Sequence, residues 1–93
     1  MKKVRLIASG RVQGVGFRWA VQALAREIGG IAGQVWNNDD GTVTILAQSS
    51  CNEHLSHFIH QVRQGPSPFS KVTYLDVTLT SFPDLEDFQV VHR

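Results

Sequence analysis

Cysteine is almost missing from this chain: Cys51 stands alone, so no disulfide within the chain can staple a small secreted scaffold, and a reducing, cytoplasmic compartment is expected. Charge of one sign is lacking too. Nine Lys plus Arg against eight Asp plus Glu leave a net charge of +1, too little for the broad electropositive field that nucleic acid or an anionic membrane would select. No nucleic-acid or membrane partner is therefore expected, and any anion has to be bound locally. Long apolar runs are absent as well. After Met1-Lys2-Lys3 the apolar stretch is interrupted by Arg5 and Arg11, too soon for a signal-peptide core or a membrane span. No repeat, linker or low-complexity segment breaks the chain. What remains is 93 residues with 42% apolar and 18% charged side chains, the balance of one globular domain spanning residues 1–93.

Hydrophobic periodicity places the elements. Val4, Leu6 and Ala8 alternate with Lys3, Arg5 and Ile7, the period-2 pattern of a strand over residues 3–9. Phe17, Ala20, Val21, Leu24 and Ile28 fall on one helical stripe that Gly29-Gly30 terminates, glycine being the residue that readily adopts a left-handed cap. Residues 31–36 and 42–48 read as a hairpin about the turn Asn38-Asp39-Asp40-Gly41. Ser50 and Glu53 have capping-box spacing, and Leu55, Phe58, Ile59 and Val62 form the stripe of a second helix ending before Gly65-Pro66. Thr73, Leu75, Val77 and Leu79 alternate in a fourth strand over residues 71–80, and a short strand over residues 88–92 follows Pro83. Its place in the sheet is not fixed by the pattern.

The order β-α-β-β-α-β plus a short C-terminal strand predicts an α+β fold, the ferredoxin-like split β-α-β sandwich, with two helices on one face of an antiparallel sheet. In that topology the third strand lies between the first two, which run parallel to each other. The loop after the first strand and the end of the second then share one rim, about 10 Å apart at two strand spacings.

The loop on that rim is Gly10-Arg11-Val12-Gln13-Gly14-Val15-Gly16-Phe17-Arg18. Its glycines let the backbone curl until consecutive N–H groups form an anion nest at the positive end of the first helix. Arg18, in the first turn, is unfavourably placed against the helix dipole unless an anion sits between them. A Walker A loop is excluded because no Gly-Lys-Ser/Thr follows, and the dinucleotide fingerprint fails because Trp19 holds the place of its third glycine.

This loop closely resembles the acylphosphatase signature, in which a glycine, a Val-Gln-Gly-Val run and a Phe-Arg pair surround the phosphate. The resemblance continues through Gly30-Ile31-Ala32-Gly33-Gln34-Val35-Trp36-Asn37, Asp40-Gly41-Thr42-Val43, the Gly65-Pro66 region and Phe88-Gln89-Val90-Val91. It implies a cofactor-free, metal-free hydrolase of small acyl phosphates, with Arg18 gripping the phosphoryl oxygens and the backbone of Gln13, Gly14, Val15, Gly16, Phe17 and Arg18 supplying further donors. Asn37 matches the family's catalytic asparagine, whose amide holds the attacking water. Phosphate or sulfate is expected to fit the same cradle, and a monomer is the default. Two departures stand out: Gln34 occupies the position where the family commonly has Trp, with an aromatic two places later at Trp36, and the 65–71 stretch is one residue longer than in the family pattern.

Other chemistries fit less well. Asn38-Asp39-Asp40-Gly41-Thr42 looks like an aspartyl-phosphatase loop, but Asn38 cannot be its nucleophile, and a hairpin turn is the reading for it. The arginine of a cysteine phosphatase would fall at position 57, which is His57. His54, His57 and His60 lie opposite the apolar stripe of their helix and read as a solvated face, with no further ligand spaced to close a metal site. Trp19 and Trp36 fit either a binding surface or half-buried packing. A non-catalytic module binding phosphate or carbamoyl phosphate remains the alternative function; it would need Arg18 but not the water-holding Asn37.

Overall fold

The computed structural model describes residues 1–93. Its elements, in chain order, are β1 (Lys2–Arg11), α1 (Phe17–Ile28), β2 (Ala32–Asn37), β3 (Val43–Ser49), α2 (Asn52–Gln64), β4 (Lys71–Leu79) and β5 (Phe88–Val90). The strands form one sheet in the order β4-β1-β3-β2-β5. β3 is antiparallel to both β1 and β2, so β1 and β2 run the same way on either side of it, as the element order requires. β5 pairs parallel with β2, which makes the sheet mixed where an antiparallel one was expected.

Alternation decides what is buried. Val4, Leu6 and Ala8 of β1, Val35 of β2, and Val43, Ile45 and Ala47 of β3 are buried on the face that the helices cover. Phe17, Val21 and Ala25 of α1, with Leu55, Phe58 and Val62 of α2, close the core from above. Leu24 and Ile28 pack against it only partly. The Phe58 and Phe88 rings meet at 5.8 Å between centroids, tilted by 59°, a geometry that aromatic quadrupoles favour. The cover over β4 reaches Leu75 and stops: Val77 and Leu79, expected on the same face, are exposed at the sheet's edge.

The other face carries the connection to β5. Residues 80–87 cross it from one edge of the sheet to the other, held by Lys3 and Gln48, which are register partners on neighbouring strands. Lys3 donates to the carbonyl of Phe82 and pairs with Asp84 at 2.7 Å. The contact holds the Asp84 carboxyl below its ordinary pKa, chiefly through the hydrogen bond from Lys3. The Gln48 side chain bonds Leu85 reciprocally, donating to its carbonyl at 3.0 Å and accepting from its amide at 2.8 Å. This strap delivers β5 to the free edge of β2.

The helix ends differ from expectation in one respect. Ser50 and Glu53 make no capping box: α2 starts with Cys51 as N-cap and no side-chain cap bond. Because β3 runs on to Ser49, the Ser49 hydroxyl accepts from the Cys51 amide at 3.0 Å and sets the turn one residue later.

Gly33 marks the tightest packing in the sheet. A Cβ there would run into the backbone carbonyl of Leu46 and come within 2.7 Å of the Phe88 ring. Gly33→Ala should therefore lower stability by about 1–3 kcal/mol, the usual range for overpacking, read as a lower urea midpoint with an unchanged denaturant slope.

Candidate active site

Strand register brings the predicted residues together. Val43 is the partner of Ala8 on one side and of Asn37 on the other, so these three residues form one row across the sheet. Asn37 has the parity of Gly33 and Val35, whose positions are buried under the helices, and it therefore points to the helix side, where the loop from β1 enters α1. A bulge between Ser9 and Gly10 turns the end of β1 before that loop begins.

The loop itself is shaped by glycine. Gly14 and Gly16 have φ of 73° and 76°, conformations that a side chain makes costly. Gly16 is the N-cap of α1, there is no side-chain cap, and the first turn holds no acidic residue. The Gly16 carbonyl accepts from Ala20, but no backbone N–H from Gln13 to Arg18 donates to any backbone acceptor. Six consecutive residues thus present unpaired donors at the positive end of a helix, the arrangement that binds anions. Arg18 stands among them with no carboxylate partner, the ion pairs of the chain being Lys3 with Asp84 and Arg26 with Asp87.

Across the rim, the Oδ1 of Asn37 is buried and has no hydrogen-bond partner. Buried polar atoms are rarely left so, and this one needs a donor. Arg18 and Asn37 line one open cleft of about 430 Å³ together with Gln13, Asn38, Asp39, Val91, His92 and Arg93. Gly14, Val15, Gly16 and Phe17 are not among its lining residues. Phe17 sends its ring into the core, where it is 1% exposed, so its side chain anchors the loop from below and does not enter the cleft.

Gln13 has a role the sequence did not reveal. Its side-chain amide donates to the carbonyl of Asn38 at 2.8 Å and to that of Thr42 at 3.0 Å, clamping the loop onto the β2-β3 turn. Asn38, read correctly as a turn residue, donates through Nδ2 to the hydroxyls of Thr42 and Thr44 at 2.9 and 2.7 Å. The Thr42 hydroxyl and amide both donate to Asp40 and hold its carboxyl below the ordinary range. The turn behind Asn37 is thereby rigid from both sides.

Val91, His92 and Arg93 were not foreseen in the cleft. They arrive because β5 is parallel to β2 and so ends on the same rim. The Arg93 guanidinium lies 3.9 Å over the Trp36 ring and donates to Gln34 at 3.3 Å. The two residues that depart from the family pattern thus do not line the cleft themselves; they hold a cation that does. Trp19 is 58% exposed. His54, His57 and His60 are exposed on α2, with Nδ1 of His54 3.1 Å from the Gly29 carbonyl.

Comparison with known proteins bears on the family and the fold. A family model described as Acylphosphatase matches residues 4–90. An acylphosphatase of Lactococcus lactis subsp. lactis is 51% identical over 96 residues, covering 97% of this chain and 98% of the relative. The crystal structure of acylphosphatase from Bacillus subtilis superposes with a TM-score of 0.89 at 46% identity, covering 98% and 99% of the two chains. Full-length HypF in its phosphate- and nucleotide-bound form contains a similar unit, with a TM-score of 0.80 at 27% identity, which covers 98% of this chain and 12% of that one.

Gln13→Ala should remove the second donor from two turn carbonyls that still accept from the Gly41 and Asn38 amides, and cost about 0.5–1.5 kcal/mol of stability. Turnover should also fall, since Asn37 adjoins the released turn. Urea unfolding and steady-state kinetics on the same preparation check both effects.

Proposed function

The chain belongs to the acylphosphatase family, and we propose that in its cleft Arg18 and the 13–18 loop hold the phosphoryl group while Asn37 holds the water that attacks it. The reaction of the family is hydrolysis of the carboxyl-phosphate bond of small acyl phosphates to carboxylate and inorganic phosphate. The observation that carries the assignment of roles is the pairing, in one cleft, of an arginine without a carboxylate partner and a buried amide oxygen without a donor.

The chemistry asks for little more. An acyl phosphate has a good leaving group, and phosphoryl transfer through a loose transition state is accelerated mainly by positioning and fixed positive charge. The Arg18 fork takes two phosphoryl oxygens in parallel, and the unpaired N–H groups of the loop take the rest. One water proton goes to Oδ1 of Asn37 as a hydrogen bond, which aims the water's lone pair at phosphorus opposite the carboxylate. As that P–O bond breaks, the carboxylate leaves with the electron pair, and the water's proton passes to a phosphoryl oxygen. No phosphoenzyme forms, and neither a metal ion nor a general base is required.

Every group in this scheme comes from one chain, so a monomer suffices. No helix of the structure is long and apolar enough to cross a membrane, and we place the enzyme in the cytoplasm on the strength of its lone Cys51. Nothing in the cleft reads far beyond the phosphate and its carbonyl neighbour, which fits small acyl phosphates as a class.

The test is hydrolysis of benzoyl phosphate by EDTA-treated protein, followed by loss of the anhydride's ultraviolet absorbance. Wild type should be active. Arg18→Ala should lose at least ~10²–10³-fold in kcat/KM, the range for one preorganised transition-state donor, and Arg18→Lys should also be severe because an ammonium cannot form the bidentate fork. Asn37→Ala should lower kcat far more than it raises KM. Full turnover in Asn37→Ala would remove the water-holding role, and an inactive wild type that still bound phosphate through Arg18 would make the chain a binding module.

A further inference from the structure

We propose that Ser67 is a positioning residue for the phosphate site, its hydroxyl orienting the peptide between Val15 and Gly16 so that the Gly16 N–H faces the anion. The inference rests on the phosphate reading of the 13–18 loop and adds to it a residue far away in sequence.

Ser67 lies between α2 and β4, and it is buried at 7% exposure. Its Oγ donates to the carbonyl of Val15 at 2.6 Å. Ser67 is itself fixed by a small turn: its amide donates to the Ser70 hydroxyl at 3.2 Å, that hydroxyl donates back to the Ser67 carbonyl at 2.8 Å, and the Ser70 amide donates there at 3.1 Å. The bond to Val15 is thus made by a hydroxyl with little freedom to move.

Its consequence follows from peptide geometry. All peptide bonds here are trans, and in a trans unit the C=O and the N–H point in opposite directions. A Val15 carbonyl held by Ser67 therefore turns the Gly16 N–H to the side opposite Ser67, and that N–H has no backbone acceptor. The neighbouring glycine makes such a restraint necessary. Gly16 is at positive φ, where a residue without a Cβ has wide torsional freedom, and the Ser67 hydroxyl supplies the hydrogen bond that fixes the Val15 carbonyl on the other side of the peptide. Rotated by half a turn, this peptide would offer a carbonyl oxygen to the phosphate in place of a donor.

The test combines a 15N–1H titration with inorganic phosphate and benzoyl phosphate kinetics on wild type, Ser67→Ala and Ser70→Ala. In wild type the Gly16 amide should shift on phosphate addition. Ser67→Ala should lose that shift and raise both KM and the phosphate inhibition constant about tenfold, the loss of one well-made hydrogen bond, with a smaller change in kcat. Ser70→Ala, which keeps the Ser67 hydroxyl but loosens its turn, should lower thermal stability and weaken phosphate affinity clearly less than Ser67→Ala does. Equal loss of affinity in both variants, or wild-type affinity with a normal Gly16 shift in Ser67→Ala, would overturn the proposal. The wild-type titration does not depend on either variant folding: a Gly16 amide that stays still while its loop neighbours shift rejects the role of Ser67, whereas a loop in which no amide shifts rejects the phosphate reading itself.

Discussion

Both halves of the site are hung on one strand. Val43, the first residue of β3, pairs with Ala8 and with Asn37 at once, and that double register fixes the separation between the loop leaving β1 and the end of β2. Because strand side chains alternate, slipping β2 by one residue would carry Asn37 to the face away from the helices. Several contacts hold the register. Gly33 sits against Leu46 and Phe88 too tightly for another residue, Gln13 clamps the turn between β2 and β3, and Asn38 ties that turn to Thr44. Sheet pairing thus does the positioning that catalysis by alignment demands.

A second constraint is electrostatic. Folded chains generally pair their buried polar groups, and here the buried exception, the Asn37 oxygen, shares a rim with the uncommitted N–H groups of residues 13–18 and the Arg18 guanidinium. The helix dipole adds to the positive side, and no acidic residue in the first turn of α1 offsets it. The core beneath, with Phe17, Phe58 and Phe88 almost wholly buried, supplies the stability that lets the rim stay unsatisfied. Phe17 links the two demands directly, since its ring is in the core while its backbone belongs to the loop.

Much of this was legible from sequence because it depends on local pattern. Alternation in residues 3–9 and the stripes about Val21 and Phe58 gave strands and helices with the correct buried faces, and the glycines around Gln13 and Arg18 marked the loop. What escaped notice depends on contacts between distant residues. Ser50 and Glu53 have the right spacing for a cap, yet β3 extends to Ser49 and moves the helix start. β5 is only three residues long and carries no usable periodicity. Its position follows from Lys3 and Gln48 fastening the strap, so the approach of Val91, His92 and Arg93 to the cleft could not be read. Ser67 and the side chain of Gln13 were invisible for the same reason, because their partners lie 52, 25 and 29 residues away.

The most direct test of the central geometry is a crystal structure with vanadate, whose five-coordinate form imitates a phosphoryl group in transfer. The arrangement described here requires the equatorial oxygens to accept from Arg18 and from backbone N–H groups of residues 13–18, with one apical oxygen within hydrogen-bonding distance of the Asn37 amide and the other apical position open to the cleft mouth. Vanadate bound away from the loop, or bound there with its apical oxygen remote from Asn37, would contradict it.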